Sequence, residues 1–257
     1  MNIGIILAAG RGSRMNSTTK NKTSMAVAGK PLVQYGVDLY AKSLDKTVVV
    51  VGAFADSVKE ALKDNEVVYA HQTEQKGTGH AVRVAIDTIK QLGIKPDQVV
   101  VGYGDHMMYY PQSMITALLA HHTVQQAAIT LVTTNHEDPI TLAWGRIIRN
   151  AVGLVAEIVE QKEATPDELK VTELNAGFYC FEYDFLAKEI TKLQPAAVAQ
   201  EYYLTDLIGV ANQQGRKVVP MVVEFSMVGS GINTLEQLQA TDVDLLSKTL
   251  DSSALIS

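Results

Sequence analysis

The strongest constraint on this chain is the way its apolar segments alternate. Ile3–Ala8 is a short apolar run, and Val48–Val51 is a β-branched run ended by Gly52. Val67–His71 and Val99–Gly102 repeat the pattern. Short runs without polar alternation are read as strands buried on both faces, as parallel strands are. Helical segments lie between and after them: Pro31 to about Ser43, Asp56–Asp64, Gly79–Leu92 and Pro111–His122. Proline is well tolerated in a first helical turn. Strands spaced by such helices imply right-handed crossovers and an α/β fold with a mostly parallel sheet. Ligands in these sheets bind beyond the carboxyl ends of the strands. Chemically active residues are therefore expected to follow strand ends.

The second half changes character. Ala127–Thr133 is a further strand. Arg146–Arg149 and Leu154–Val159 flank Asn150-Ala151-Val152-Gly153 as a β-hairpin. Leu174–Phe181 and Val218–Val223 read as strands, with helices over Glu182–Lys192, Tyr203–Gln213 and from Thr234 onward. No repeat or linker interrupts the 257 residues, a length that suits one large domain with an inserted hairpin layer.

Composition narrows the function classes. Hydrophobic residues make up 47% and charged residues 19%, the profile of a soluble globular protein. The net charge of −6 is spread along the chain, so no basic face for nucleic acid is expected. A small phosphorylated ligand needs only a few local positive groups and is not excluded. The lone Cys180 excludes an internal disulfide and a cysteine-built metal site. No apolar run is long enough to span a membrane and no basic leader precedes the first strand, so a cytoplasmic location is the default.

The loop after the first strand is Leu7-Ala8-Ala9-Gly10-Arg11-Gly12-Ser13-Arg14-Met15. Glycines let backbone N–H groups come close to an anion, and Arg14 adds a forked donor for phosphate oxygens. A dinucleotide fingerprint would need glycine where Met15 stands, and no Gly-Lys-Ser/Thr phosphate loop occurs. The loop alone is an anion site or a tight turn.

The longer string is more specific. The loop, then Lys22, then Ala28-Gly29-Lys30-Pro31-Leu32, resembles the signature of sugar-1-phosphate nucleotidyltransferases. Gln72-Thr73-Glu74-Gln75-Lys76-Gly77-Thr78-Gly79-His80-Ala81 resembles the base-recognition segment of the bacterial N-acetylglucosamine-1-phosphate uridylyltransferases. Tyr103-Gly104-Asp105, Trp144-Gly145-Arg146-Ile147, Ile158 to Lys162, Asn175-Ala176-Gly177, Glu201 to Asp206 and Gly231-Ile232-Asn233 follow in the same order. The resemblance implies a Rossmann-like nucleotidyltransferase sheet over residues 1–228. A C-terminal segment, 229–257, would complete a metal site and end in a helix.

The resemblance also implies roles. Leu7, Ala8, Ala9, Gly10, Gly12, Gln72, Gly77 and Thr78 would hold the nucleotide. The Gln72 amide can both donate to and accept from a uracil edge; the alternative is a plain turn before a helix. Tyr103, Gly145, Glu160, Asn175 and Thr205 would hold the sugar phosphate, although Glu160 could equally be a hairpin-edge charge. Asp105 follows a strand end, where a carboxylate can hold Mg²⁺ against triphosphate oxygens. Asn233 would be the second metal ligand, or otherwise a helix cap. Arg14 and Lys22 would be the catalytic cations. Lys20 competes with Lys22, because Lys20-Asn21-Lys22 stands where the family has Leu-Pro-Lys, and asparagine would not stiffen the loop as proline does.

The expected partners are a nucleoside triphosphate and a sugar phosphate, with Mg²⁺ as cofactor and neither nucleic acid nor membrane. UTP and N-acetylglucosamine 1-phosphate fit the resemblance. Another base or acceptor, or a regulator that binds nucleotide sugars without turnover, are the alternatives. No hexapeptide repeat follows, so the β-helix acetyltransferase of the bacterial enzyme is not expected. His121-His122 reads as an exposed helix end, Tyr109-Tyr110 as loop packing. Met107-Met108 replaces the family's apolar-proline pattern and is expected to reshape the mouth of the site.

Overall fold

The computed structural model describes residues 1–12, 15 and 19–254. In chain order, β1 (Asn2–Ala8) leads to a small antiparallel pair, β2 (Ala26–Val27) and β3 (Lys30–Pro31). Then come α1 (Leu32–Ala41), β4 (Lys46–Val51), α2 (Ala55–Ala61), β5 (Val68–His71), α3 (Thr78–Gln91) and β6 (Gln98–Tyr103). The second half holds α4 (Ser113–Gln125), β7 (Ile129–Asn135), the hairpin β8 (Arg146–Arg149) and β9 (Val155–Val159), and the long β10 (Glu173–Glu182). It closes with α5 (Tyr183–Glu189), α6 (Leu207–Gln213), β11 (Val218–Val222), α7 (Phe225–Val228) and α8 (Leu235–Ala254).

The main sheet runs in the order β11-β7-β10-β6-β1-β4-β5. β1 pairs in parallel with β4 and β6, β4 with β5, and β7 with β11. Along that order β10 alone opposes its neighbours, pairing antiparallel with β6 and β7. The expected α/β fold with a mostly parallel sheet is therefore present. The hairpin continues this sheet, because Arg146 of β8 pairs with Leu174 of β10.

Strand residues alternate between two cores. Ile3, Ile5, Leu7, Val48, Val50, Val99 and Val101 pack with α3, α5 and α6 on one face. Ile6, Val49, Val51 and Val100 pack with α1, α2 and α4 on the other. Helix α3 shows why its sequence is helical: Ala81, Val82, Ala85, Ile86 and Ile89 form one buried stripe at helical spacing. A third, smaller cluster joins Met15, Val27, Leu32, Met108 and Ile232, with Leu238 and Leu245 of α8 against it.

Three sequence expectations need correction. Pro31 lies in β3 with extended backbone at the cap of α1, and the helix begins at Leu32. Met107 and Met108 are both buried and line no part of the site, because the chain after Asp105 folds them inward. His122 is buried, not exposed: α4 runs on to Gln125, so its last turns still face the sheet. The His122 Nδ1 lies 2.9 Å from the Thr130 Oγ1.

Burial, reinforced by His121, pushes the His122 imidazole down to about 4. An unfolded histidine titrates near 6.5, so between those values the unfolded chain binds the extra proton and the native state does not. Stability is thus lost as pH falls from about 6.5 to 4, by up to roughly 3 kcal/mol from this group. Urea melts across that range are expected to show a steep loss in the natural protein and a shallower one in His122→Asn. Equal slopes would contradict the buried neutral imidazole.

Candidate functional site

The carboxyl ends of β1, β4, β5 and β6 share one edge of the sheet. Because β10 runs the other way, its beginning lies at that same edge: Phe178 is level with Gly102, which places Asn175 and Ala176 beyond the end of β6. Two adjoining compartments open there. The larger, about 350 Å³, is lined by Leu7, Ala8, Ala9, Gly10, Gly12, Lys22, Gln72, Gly77 and Thr78. The smaller, about 180 Å³, is lined by Trp144, Gly145, Glu160 and Asn175, with His106 beside them. Tyr103, Asp105 and Asn233 line both and mark the junction. The sequence-predicted residues thus converge, apart from two. Thr205 lines neither compartment, and Arg14 lies outside the described residues.

Asn21 holds the loop that carries Lys22. Its side chain is fully buried and donates to the carbonyls of Gly10 at 2.9 Å and Ala53 at 2.8 Å. Its Oδ1 accepts from the Thr23 amide and hydroxyl, both at 2.9 Å, capping the short 3-10 turn Lys22–Ser24. The expectation that asparagine leaves this segment loose is therefore corrected. Hydrogen bonds fix the loop where a proline ring would have done so by restricting φ.

Lys22, not the exposed Lys20, enters the cleft. Its ammonium forms an ion pair with Asp105 and donates to the Asn233 Oδ1 at 3.2 Å. Burial pushes the Asp105 carboxyl up, but the Lys22 charge and hydrogen bond outweigh it, so the group sits below the ordinary carboxylate range. One carboxylate and one amide oxygen converge here on a single cation, a donor set that suits a hard divalent ion. No group of three or more His, Cys, Asp or Glu side chains that could hold a metal occurs among the described residues. Any such ion needs further oxygens, as from bound phosphates.

On the side of β5, Gln72 is buried and its Nε2 lies 3.1 Å from both the Gly77 carbonyl and the His80 Nδ1. Gly77 has φ +95°, and a Cβ there would meet the Tyr202 carbonyl oxygen at 2.6 Å. Glycine is thus required where the chain turns into α3.

On the β10 side, a Cβ on Gly145 would meet Ile158 at 2.6 Å, so this position must be glycine for β9 to pack close. The Glu160 carboxylate accepts from the Thr205 hydroxyl at 2.9 Å, which is how Thr205 reaches the site. Burial pushes Glu160 above the ordinary range against that hydrogen bond. Asn175 is oriented by both ends of its amide: Nδ2 donates to the Tyr179 hydroxyl at 2.6 Å and Oδ1 accepts from the Gly177 amide at 3.2 Å. The strand register slips between Asn175 and Tyr179, the kind of irregularity that re-aims side chains beside a site. His106 is buried, and its Nε2 donates to the Gly229 carbonyl at 3.1 Å.

Arg146 is a residue whose part in the site the sequence reading did not assign. Its side chain is fully buried and donates to the carbonyls of Leu142 at 3.2 Å, Pro139 at 2.8 Å and Trp144. It thereby shapes the loop bearing Trp144 and Gly145. An arginine flanked by apolar strand residues was the available signal, since such a group must find buried acceptors.

The fold is shared with a Bacillus anthracis crystal structure named as a glucose-1-phosphate thymidylyltransferase, in complex with a sucrose. The TM-score is 0.72 at 21% identity, covering 95% of this chain and 94% of the other. The model of the MobA-like NTP transferase domain matches residues 4–168, and the chain belongs to that family. Among known proteins it is similar to the bifunctional protein GlmU of Clostridium botulinum strain 657, 37% identical over 94% of this chain and 51% of that protein. It is likewise similar to the bifunctional protein GlmU of Alcanivorax borkumensis, 39% identical over 91% and 50%. The chain thus spans about half the length of these relatives.

Asn21→Ala removes two buried donors and strands the Gly10 and Ala53 carbonyls. A loss of about 2 kcal/mol in urea denaturation is expected. An unchanged urea midpoint would show that other contacts hold the loop.

Proposed function

We propose that this chain transfers a nucleotidyl group from a nucleoside triphosphate to a sugar 1-phosphate, with UTP and N-acetylglucosamine 1-phosphate as the pair. The observation that carries the reading is the junction: two compartments, one behind a glycine loop and one edged by Glu160 and Asn175, meet at Tyr103, Asp105 and Asn233, with Lys22 bound to the last two. The relatives named GlmU support the same chemistry.

In the proposed reaction a phosphate oxygen of the sugar 1-phosphate attacks the α-phosphorus of the triphosphate. A new P–O bond forms, the bond to the bridging oxygen breaks, and pyrophosphate leaves with that electron pair. The attacking oxygen is already anionic near neutral pH, so no general base is needed; alignment and charge compensation remain. Leu7 to Gly12 cradle the triphosphate, and Gln72, Gly77 and Thr78 meet the base. Tyr103, Gly145, Glu160 and Asn175 hold the sugar phosphate, and Thr205 keeps Glu160 in place. Asp105 and Asn233 would hold Mg²⁺, which when bound would supply positive charge to the phosphate oxygens. Lys22 and Arg14 stabilise charge on the α-phosphate and on the departing pyrophosphate. No described helix is long and apolar enough to cross a membrane, and we place the protein in the cytoplasm.

A pyrophosphate-release assay over a panel of nucleotides and sugar phosphates, with Mg²⁺ and then with chelator, tests the reading. Release restricted to UTP with N-acetylglucosamine 1-phosphate, and lost on chelation, is expected. Release with a different pair would correct the substrates, and binding without release would favour a sensor. Asp105→Asn and Arg14→Ala are each expected to cut turnover at least about a hundredfold with unchanged melting temperature. Near-natural turnover in either variant would remove that residue from the mechanism.

A further inference from the structure

The position of Lys22 has a consequence beyond charge stabilisation. Its ammonium sits on the Asp105 carboxylate and the Asn233 Oδ1, the same two oxygens that the proposed function gives to a divalent cation. The pair is largely shielded, with side-chain exposures of 13% and 21%. An ammonium and a divalent ion at these oxygens compete, because two cations repel at short range where little solvent screens them.

We propose that Lys22 is a resident stand-in for the metal. It holds Asp105 and Asn233 together in the metal-free protein, and it must withdraw from both when a divalent ion enters. The inference rests on the reading that these two residues form the metal site.

Two further observations support it. The backbone at Lys22 is fixed by Asn21, Thr23 and the short turn they cap, so the side chain is the part that can move. The stem of Lys22 already lies along the glycine loop: an added Cβ at Gly12 would meet the Lys22 Cβ at 2.9 Å, with its Cγ and Cδ at 3.8 Å. Rotation about the side-chain bonds carries the ammonium from Asp105 toward the part of the cleft that the loop lines. Metal entry and triphosphate binding then assist one another, since a phosphate gives the displaced ammonium a new partner. Such coupling is reciprocal.

The test is Mn²⁺ binding by the nucleotide-free protein, read by electron paramagnetic resonance of the free ion. Lys22→Met keeps the stem and removes the charge, and Lys22→Ala serves if that variant melts early. Either is expected to bind Mn²⁺ at least about tenfold more tightly than the natural chain. Adding Asp105→Asn to the variant is expected to abolish that gain. Equal or weaker binding in the Lys22 variants overturns the stand-in role. If binding tightens but persists unchanged in the double variant, the ion sits elsewhere, and both the metal assignment and the inference fall. Binding that tightens and then vanishes supports both.

Discussion

The change of direction at β1 governs where a site can exist in this chain. From β1 the sheet grows outward through β4 and β5, then α3 crosses its face and β6 returns on the other side of β1. The loops after β1 and β6 therefore diverge, and a crevice opens between them that the Lys22–Asp105 ion pair spans. The glycine loop and Lys22 come from one wall, and Tyr103 with Asp105 from the other. The antiparallel β10 adds what a purely parallel sheet lacks: a strand beginning, rather than a strand end, at the active edge. Asn175 sits there for that reason.

Residues that touch the crevice are held by a set of buried polar side chains bound mainly to backbone groups. Asn21 ties the Lys22 loop to Gly10 and Ala53. Arg146 ties the Trp144–Gly145 loop to three carbonyls. Loops have no ladder of their own hydrogen bonds, so each buried carbonyl they carry must find a donor or destabilise the fold. A single planar side chain with several donors meets that need and fixes the loop in one geometry. The backbone at Lys22 and at Gly145 is thereby held in place, with Lys22 a long side chain standing on a fixed backbone.

What the sequence could disclose follows from these physics. The alternation of apolar runs and helical stretches exposed the fold, because burial on both faces leaves a periodicity that local residues alone carry. Residues that follow strand ends, such as Asp105 and Gln72, were legible for the same reason. Asn21 was misjudged because its worth lies in carbonyls at Gly10 and Ala53, which no spacing rule links to it. The choice between Lys20 and Lys22 needed the same long-range geometry. Thr205 belongs to a motif that places it at the sugar-phosphate side, but its contact runs only through Glu160 and depends on how a helical turn packs against the hairpin. Met107 and His122 went astray because local polarity and position say little about which way a side chain turns after a loop or in a last helical turn.

Charge at the junction bears directly on the proposed reaction. Among the described residues, the cation nearest the meeting point is Lys22, and Asp105 already cancels it. The pair itself sums to zero, and Glu160 and Glu201 line the compartments on either side, while the proposed reaction brings two phosphorylated, strongly anionic molecules into contact there. Backbone amides of the glycine loop supply partial charges only. If the ion pair stayed closed, the site would offer the incoming phosphates little attraction at the point of reaction. Opening it by a divalent ion changes the balance twice: the ion overcompensates Asp105, and the released ammonium becomes available to a phosphate. A neutral resting site of this kind also keeps a buried carboxylate from standing alone, which would cost several kcal/mol. On the proposed exchange, the one ion pair would shield Asp105 and then, once opened, free the Lys22 ammonium for a phosphate.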